Sequence, residues 1–355
     1  MSSLAATPGP SKPWRWWVPA ALRWGITLAV VAGVSRRIWL EREKLVAEDL
    51  RLVPSWLVAS GACYLLGLAT CAGFWWLAMR DSGARPSWTS TLAAYFAGHL
   101  GKYVPGKVAV LVIRATMVRG AGVGIIMAAH TSAHETVLMM AMGALIATTF
   151  LLAVDRFQHG YLLAVASDLV AQCGLSESWA RHASAVLLTV SGALSVGLGL
   201  LALPPVVSRF GRLARRPFSN LAGDGASPCR WRTVAAGATM IAVGWFLMGL
   251  SLAGALAAMH SFPDVIGRWG LLPALGLLTA LVALATVGGF VIPTPGGLGS
   301  REWILIETLD PVIGGGHAVV VAVVLRLVWI VAELAAAGLF WLVEFRCKQL
   351  QGQSN

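Results

Sequence analysis

The residues of this chain that could do chemistry gather at two interruptions in otherwise apolar sequence. One runs from Phe290 to Glu302 and contains Pro293, Pro295, Gly296, Gly297, Gly299, Arg301 and Glu302. Prolines lack the amide donor, and glycines permit backbone angles closed to other residues, so a helix entering this stretch must unwind. In a bilayer the freed peptide groups find no water, and such a break survives only where protein or a wet cavity receives it. The other interruption, from Gly101 to Arg114, holds Lys102, Tyr103, Pro105, Gly106 and Lys107. Half-helix ends expose unpaired backbone groups, and an N-terminus among them favours phosphate or carboxylate. Two lysines beside a Pro-Gly break therefore suit an anionic headgroup, with Tyr103 adding a ring and a hydroxyl.

A second set of residues consists of charges inside apolar helices. Each costs a few kcal/mol at the bilayer centre and needs a partner or a water-filled cavity. Arg114 follows the first break and Glu135 sits on the next helix; Glu302 follows the second break, with Arg326 and then Glu333 on the helix after it. The signs are exchanged between the two places, yet each can form an acid–base pair. Two compatible readings stay open, that the pairs pin the broken segments and that they also face a polar headgroup. His130 and His134 share a helical face beside Glu135, but the zinc-protease motif needs a histidine where Leu138 stands. They are read as lining a cavity or pairing across helices. No metal and no cofactor are expected, and no phosphate-binding Gly-rich loop for nucleotide hydrolysis is present.

The elements that must position these residues follow from composition. Of 355 residues 57% are hydrophobic and 12% charged, against about 25% charged in soluble domains. This is the composition of an all-α polytopic membrane protein. The net charge of +11 lies mostly between apolar runs, which topology explains without nucleic acid. Long helices are expected over 16–34, 52–79, 121–154, 183–207, 231–259 and 317–345, each with about the 20 residues that span a bilayer or more. Half-helices over 88–100 and 108–118, and the broken segment 271–309, read as two re-entrant hairpins; eight full spans is the alternative. The order long helix, broken hairpin, long helix occurs twice. Such matched interruptions mark the binding region in transporters built from repeats. The layout is an N-terminal tail over 1–15, a first helix and polar connector over 16–51, repeat one over 52–154, a linking span and basic loop over 155–231, repeat two over 232–345, and a tail over 346–355. With this count the repeats have inverted topology.

The residues Gly101 to Val108, Arg114, Glu135, Pro295 to Glu302, Arg326 and Glu333, in this order, resemble the transmembrane region of the lysylphosphatidylglycerol synthetase/flippase family, the YbhN-like integral membrane proteins. At the first break Ala109 and Val110 stand where many relatives have Gly-Glu. The resemblance implies an inner, plasma-membrane protein that translocates lipids, handling an anionic or aminoacylated phospholipid or a lipid-linked headgroup. A transporter rather than an enzyme is expected. The alternatives are a membrane-embedded transferase acting on a lipid-linked group and a scaffold for a lipid-modifying enzyme. Expected partners are membrane lipid, a second copy of the chain or a lipid-modifying enzyme. Bifunctional relatives add a cytosolic aminoacyl-transferase domain, which is not expected after Phe345.

The loop containing Arg209, Arg212, Arg215, Arg216, Arg230 and Arg232 against Asp224 is expected on the cytoplasmic side, and with it both termini. Thiol labelling of Ser219→Cys in intact cells should therefore fail from outside and succeed after permeabilisation. Efficient external labelling would reverse the topology.

Overall fold

Without water to compete, a helix is the form in which an apolar segment satisfies its own peptide groups. The structure, a computed structural model, describes residues 52–103, 108–119, 123–157, 160–172, 174, 176, 178–215, 230–292 and 294–352, together with Ala32. Among these the regular elements are helices, with no strand. They are α1 (Pro54–Asp81), α2 (Trp88–Leu100), α3 (Val108–Arg119), α4 (Ile125–Phe157), α5 (Tyr161–Gln172) and α6 (Ser178–Ala202). Then come α7 (Pro204–Arg215), α8 (Trp231–Ala258), α9 (Phe262–Trp269), α10 (Leu271–Val291), α11 (Ser300–Ile313) and α12 (Gly315–Gly352). The chain is an all-α polytopic membrane protein: six of these helices (α1, α4, α6, α8, α10 and the stretch Gly315–Val343 of α12) are long and apolar enough to cross a membrane. Apart from Ala32, the expected helix at 16–34 lies outside the described residues.

The centre of the fold is the contact between α1 and α8, the opening helices of the two halves. A Cβ on Gly67 would lie 2.8 Å from the Gly244 carbonyl oxygen, and one on Gly244 would lie 2.9 Å from that of Gly67. Small residues let the two backbones touch, which is how helices associate where lipid removes the hydrophobic drive. Ser60 Oγ donates to Ser251 O at 2.7 Å, and Phe74 packs against Gly237 at the other end. As numbering rises along α1 it falls along the facing side of α8, so these helices run antiparallel. Helices α1 and α8, which open the stretches expected as the two repeats, therefore point in opposite directions.

Two other long helices, α4 and α12, are joined to this pair by tryptophans whose indole N–H groups find acceptors. Trp245 Nε1 donates to Met139 O at 3.1 Å and Trp75 Nε1 to Thr131 Oγ1 at 3.1 Å, both on α4. On α12, Trp329 donates to Ser251 Oγ at 2.9 Å and stacks on Tyr64 with ring centroids 4.3 Å apart.

Two elements differ from expectation. The span expected to reach Val207 stops at Ala202, because Pro204 and Pro205 cannot continue the hydrogen-bond ladder but can open a new helix, α7. The first arm of the second hairpin, α10, has 21 residues; it is no short half-helix but long enough to cross by itself. The short apolar helix α5 packs on α11, with Tyr161 Oη donating to Thr308 O at 2.6 Å and Gln172 Nε2 to Glu307 Oε2 at 2.7 Å.

Candidate functional site

The second break is built by its glycines and braced by its hydroxyls. Gly296, Gly297 and Gly299 have φ of 61°, 70° and 79°, angles that a side chain disfavours. Gly297 N donates to Thr294 O at 3.2 Å, Ser300 Oγ donates to Gly297 O at 3.1 Å, and the Thr294 and Ser300 hydroxyls meet at 2.9 Å. Glu302, in the first turn of α11, reaches back so that Oε2 accepts from Gly299 N at 2.6 Å. A carboxylate there also complements the helix N-terminal dipole.

The first break leaves α2 through a 3-10 turn over Gly101–Tyr103, and it meets the second. A Cβ on Gly296 would lie 3.0 Å from Tyr103 Cδ1 and 3.4 Å from Lys102 O, so only glycine lets the turns come this close. Arg326, near the middle of its span, donates through Nη2 to Gly296 O at 3.2 Å and lies 5.4 Å from the centre of the Tyr103 ring. Each interruption is received by the other.

Around this junction are two charged groups. In the first half Arg114 Nη1 donates to Glu135 Oε2 at 2.8 Å and to Ser132 Oγ at 3.0 Å. Tyr95 Oη donates to Glu135 Oε1 at 3.0 Å, and the guanidinium carbon lies 3.7 Å from the Tyr95 ring centre. Both charges are buried, at 2% and 1% exposure. Gly98 on α2 makes room for Arg114.

In the second half Glu333, with no exposed surface, accepts from Lys102 Nζ and Tyr64 Oη, and from Tyr103 Oη at 3.0 Å. His99 Nε2 lies 3.5 Å from the same carboxylate. Arg326 Nε lies 3.3 Å from Glu302 Oε1, an ion contact not aligned for a hydrogen bond, so Nε and Nη1 of Arg326 are buried without hydrogen-bond partners, as is Arg301 Nε. Arg301 threads between Gly289 and Gly297. A small cavity of about 20 Å³ lies between α10, α11 and α12, with Thr286, Arg301, Glu302, Arg326 and Trp329 in its wall. That is room for about one water molecule.

The structure therefore brings together Lys102, Tyr103, Gly296, Gly297, Gly299, Arg301, Glu302, Arg326 and Glu333, and sets Arg114 with Glu135 beside them. The expected sites Pro105, Gly106, Lys107 and Pro293 lie outside the described residues, as does the side chain of Pro295. His130 and His134 turn to the α6–α7 corner, their Nε2 atoms 3.1 Å from Val207 O and 3.0 Å from Ala202 O, where they satisfy carbonyls at the end of α6 and in α7. Sequence reasoning passed over Tyr64, Tyr95 and His99. A signal was present: the chain has only 4 tyrosines against 16 tryptophans, and a buried phenol must find an acceptor. Tyr64, Tyr95 and Tyr103 all donate to the buried carboxylates.

Chemically, the arrangement is a set of fixed donors held away from water. Among the described residues no three metal-ligating side chains converge. No protein-family model matches the chain, and no curated protein matches it either.

Removing one partner of a buried ion pair strands the other, a loss of about 3–5 kcal/mol in soluble proteins. Arg114→Gln and Glu135→Gln should each lower the melting temperature in detergent markedly, and Arg114→Glu combined with Glu135→Arg should recover part of the loss. Silent single variants, or an exchanged pair no more stable than either charge-reversed single, would show that the contact contributes nothing.

Proposed function

We propose that the protein is a lipid translocator that carries a polar headgroup, anionic or aminoacylated, past the hydrocarbon between the two breaks while the acyl chains stay in lipid. The observation that carries this reading is the junction itself, where two helix interruptions and a set of buried charges meet inside a protein otherwise made of apolar helices. Charges in such a setting are costly and mark substrate or ion pathways. Matched interruptions in two halves that begin antiparallel are the arrangement by which transporters alternate access around a central site. In this reading the hairpins are re-entrant, and the arginine-rich connector and both termini face the cytoplasm of the inner membrane. The resemblance of the Gly101–Val108 and Pro295–Glu302 stretches to flippase-like membrane proteins points the same way, and a second copy or a lipid-modifying enzyme would be the fitting protein partner.

Headgroup translocation in reconstituted vesicles is the test, with Gly297 as its control. A methyl at Gly297 would lie 2.8 Å from Arg301 Nε and oppose a φ of 70°. Gly297→Ala should therefore displace Arg301 and cost most of the transport per folded molecule, beyond any drop in melting temperature. A variant that melts early but transports fully per folded molecule would make the break a structural turn only.

A further inference from the structure

We infer that the headgroup this site accepts carries a single net negative charge on a phosphodiester and no fixed cation. The inference rests on the translocator reading and narrows its substrate class. Among the described residues the junction gathers three cations, Lys102, Arg301 and Arg326, within electrostatic reach of one another and of two carboxylates, Glu302 and Glu333. One positive charge is left uncompensated. Buried charge of this kind is held at a cost that a bound counter-ion removes, and one anionic charge brings the cluster to neutrality.

The spare hydrogen-bonding capacity points to the same ligand. Arg301 Nε and Arg326 Nε and Nη1 are buried donors without hydrogen-bond partners, both side chains line the cavity, and Arg326 is only 8% exposed. Guanidinium N–H groups are suited in geometry and charge to phosphate oxygens. A cationic headgroup finds no counterpart. Glu333 is saturated by Lys102, Tyr64 and Tyr103, and Glu302 is engaged by Gly299 N and Arg326. The Tyr103 ring, a surface on which an ammonium could rest, already has Lys102 at 5.0 Å and Arg326 at 5.4 Å. An ammonium, a choline or an aminoacyl amine would enter as an added, unpaired charge. Because the cavity has room for only about one water, phosphate enters only as the breaks part, and Arg326 exchanges its contacts with Glu302 and Gly296 O for the ligand.

The test titrates the purified full-length protein in neutral detergent with short-chain phosphatidylglycerol, short-chain phosphatidylcholine and inorganic phosphate, reading binding by native mass spectrometry and tryptophan fluorescence. One charge-assisted contact left unmade corresponds to about tenfold or more in affinity, so phosphatidylglycerol should bind at least about tenfold more tightly than phosphatidylcholine. Arg301→Gln should erase that preference while Arg301→Lys retains it, and inorganic phosphate should compete only weakly. Equal binding of the two lipids by the wild-type protein would overturn the charge assignment, whatever the variants do. So would an Arg301→Gln protein that folds and keeps the preference. Inorganic phosphate binding as tightly as phosphatidylglycerol would make the ligand a free anion and overturn the lipid assignment. In parallel vesicles, transport of both lipids at equal rate would sink this inference alone, whereas transport of neither would sink the translocator reading beneath it.

Discussion

The structure depends on two broken helices receiving each other. A peptide group released from a helix inside a membrane must be met by protein or water, and here Tyr103 of one break lies on Gly296 of the other while Arg326 takes up the Gly296 carbonyl. Glu333 then ties the first break to the last long helix through Lys102 and Tyr103. Neither half could satisfy its own interruption in this way. The antiparallel contact of α1 with α8, closed by Gly67 and Gly244, is what brings the two breaks face to face.

The halves repeat a plan but not a chemistry. In each, a glycine on the first arm, Gly98 or Gly289, admits an arginine from the second arm, and an acid–base pair joins the second arm to the next helix. In the first half Arg114 and Glu135 are wrapped by Ser132 and Tyr95, and Arg114 too keeps one buried donor, Nε, without a hydrogen-bond partner. In the second, Arg301 and Arg326 keep buried donors without hydrogen-bond partners beside a cavity. The difference is that the orphaned donors of the second half border a cavity, with Arg301 and Arg326 both in its wall.

Much of this was legible in the sequence because membrane helices obey strong, local rules. The breaks, the half-helix Trp88–Leu100, and the pairing of Arg114 with Glu135 and of Glu302 with Arg326 follow from the cost of unpaired peptides and charges in hydrocarbon. Contacts between the halves were not legible. Glu333 could be placed on its helix, but nothing local says that its partner is Lys102, far back in the chain, nor that Tyr64 and Tyr103 complete its shell. The roles of His130 and His134 were hidden for the same reason, since their acceptors are carbonyls in the corner that Pro204 creates. The end of α6 was misread because apolar sequence continues through that corner as Val206 and Val207, and hydropathy alone does not register the turn.

The most direct measurement replaces Tyr103 with the photoreactive phenylalanine analogue p-benzoylphenylalanine, which keeps an aromatic ring at the junction, and maps its cross-links by mass spectrometry. In protein stripped of lipid the probe should capture the peptide containing Gly296, and with saturating short-chain phosphatidylglycerol that product should fall as a lipid adduct rises. Cross-links confined to the probe's own half, or a Gly296 product unchanged by the lipid, would contradict an account in which two breaks meet and then part around a headgroup.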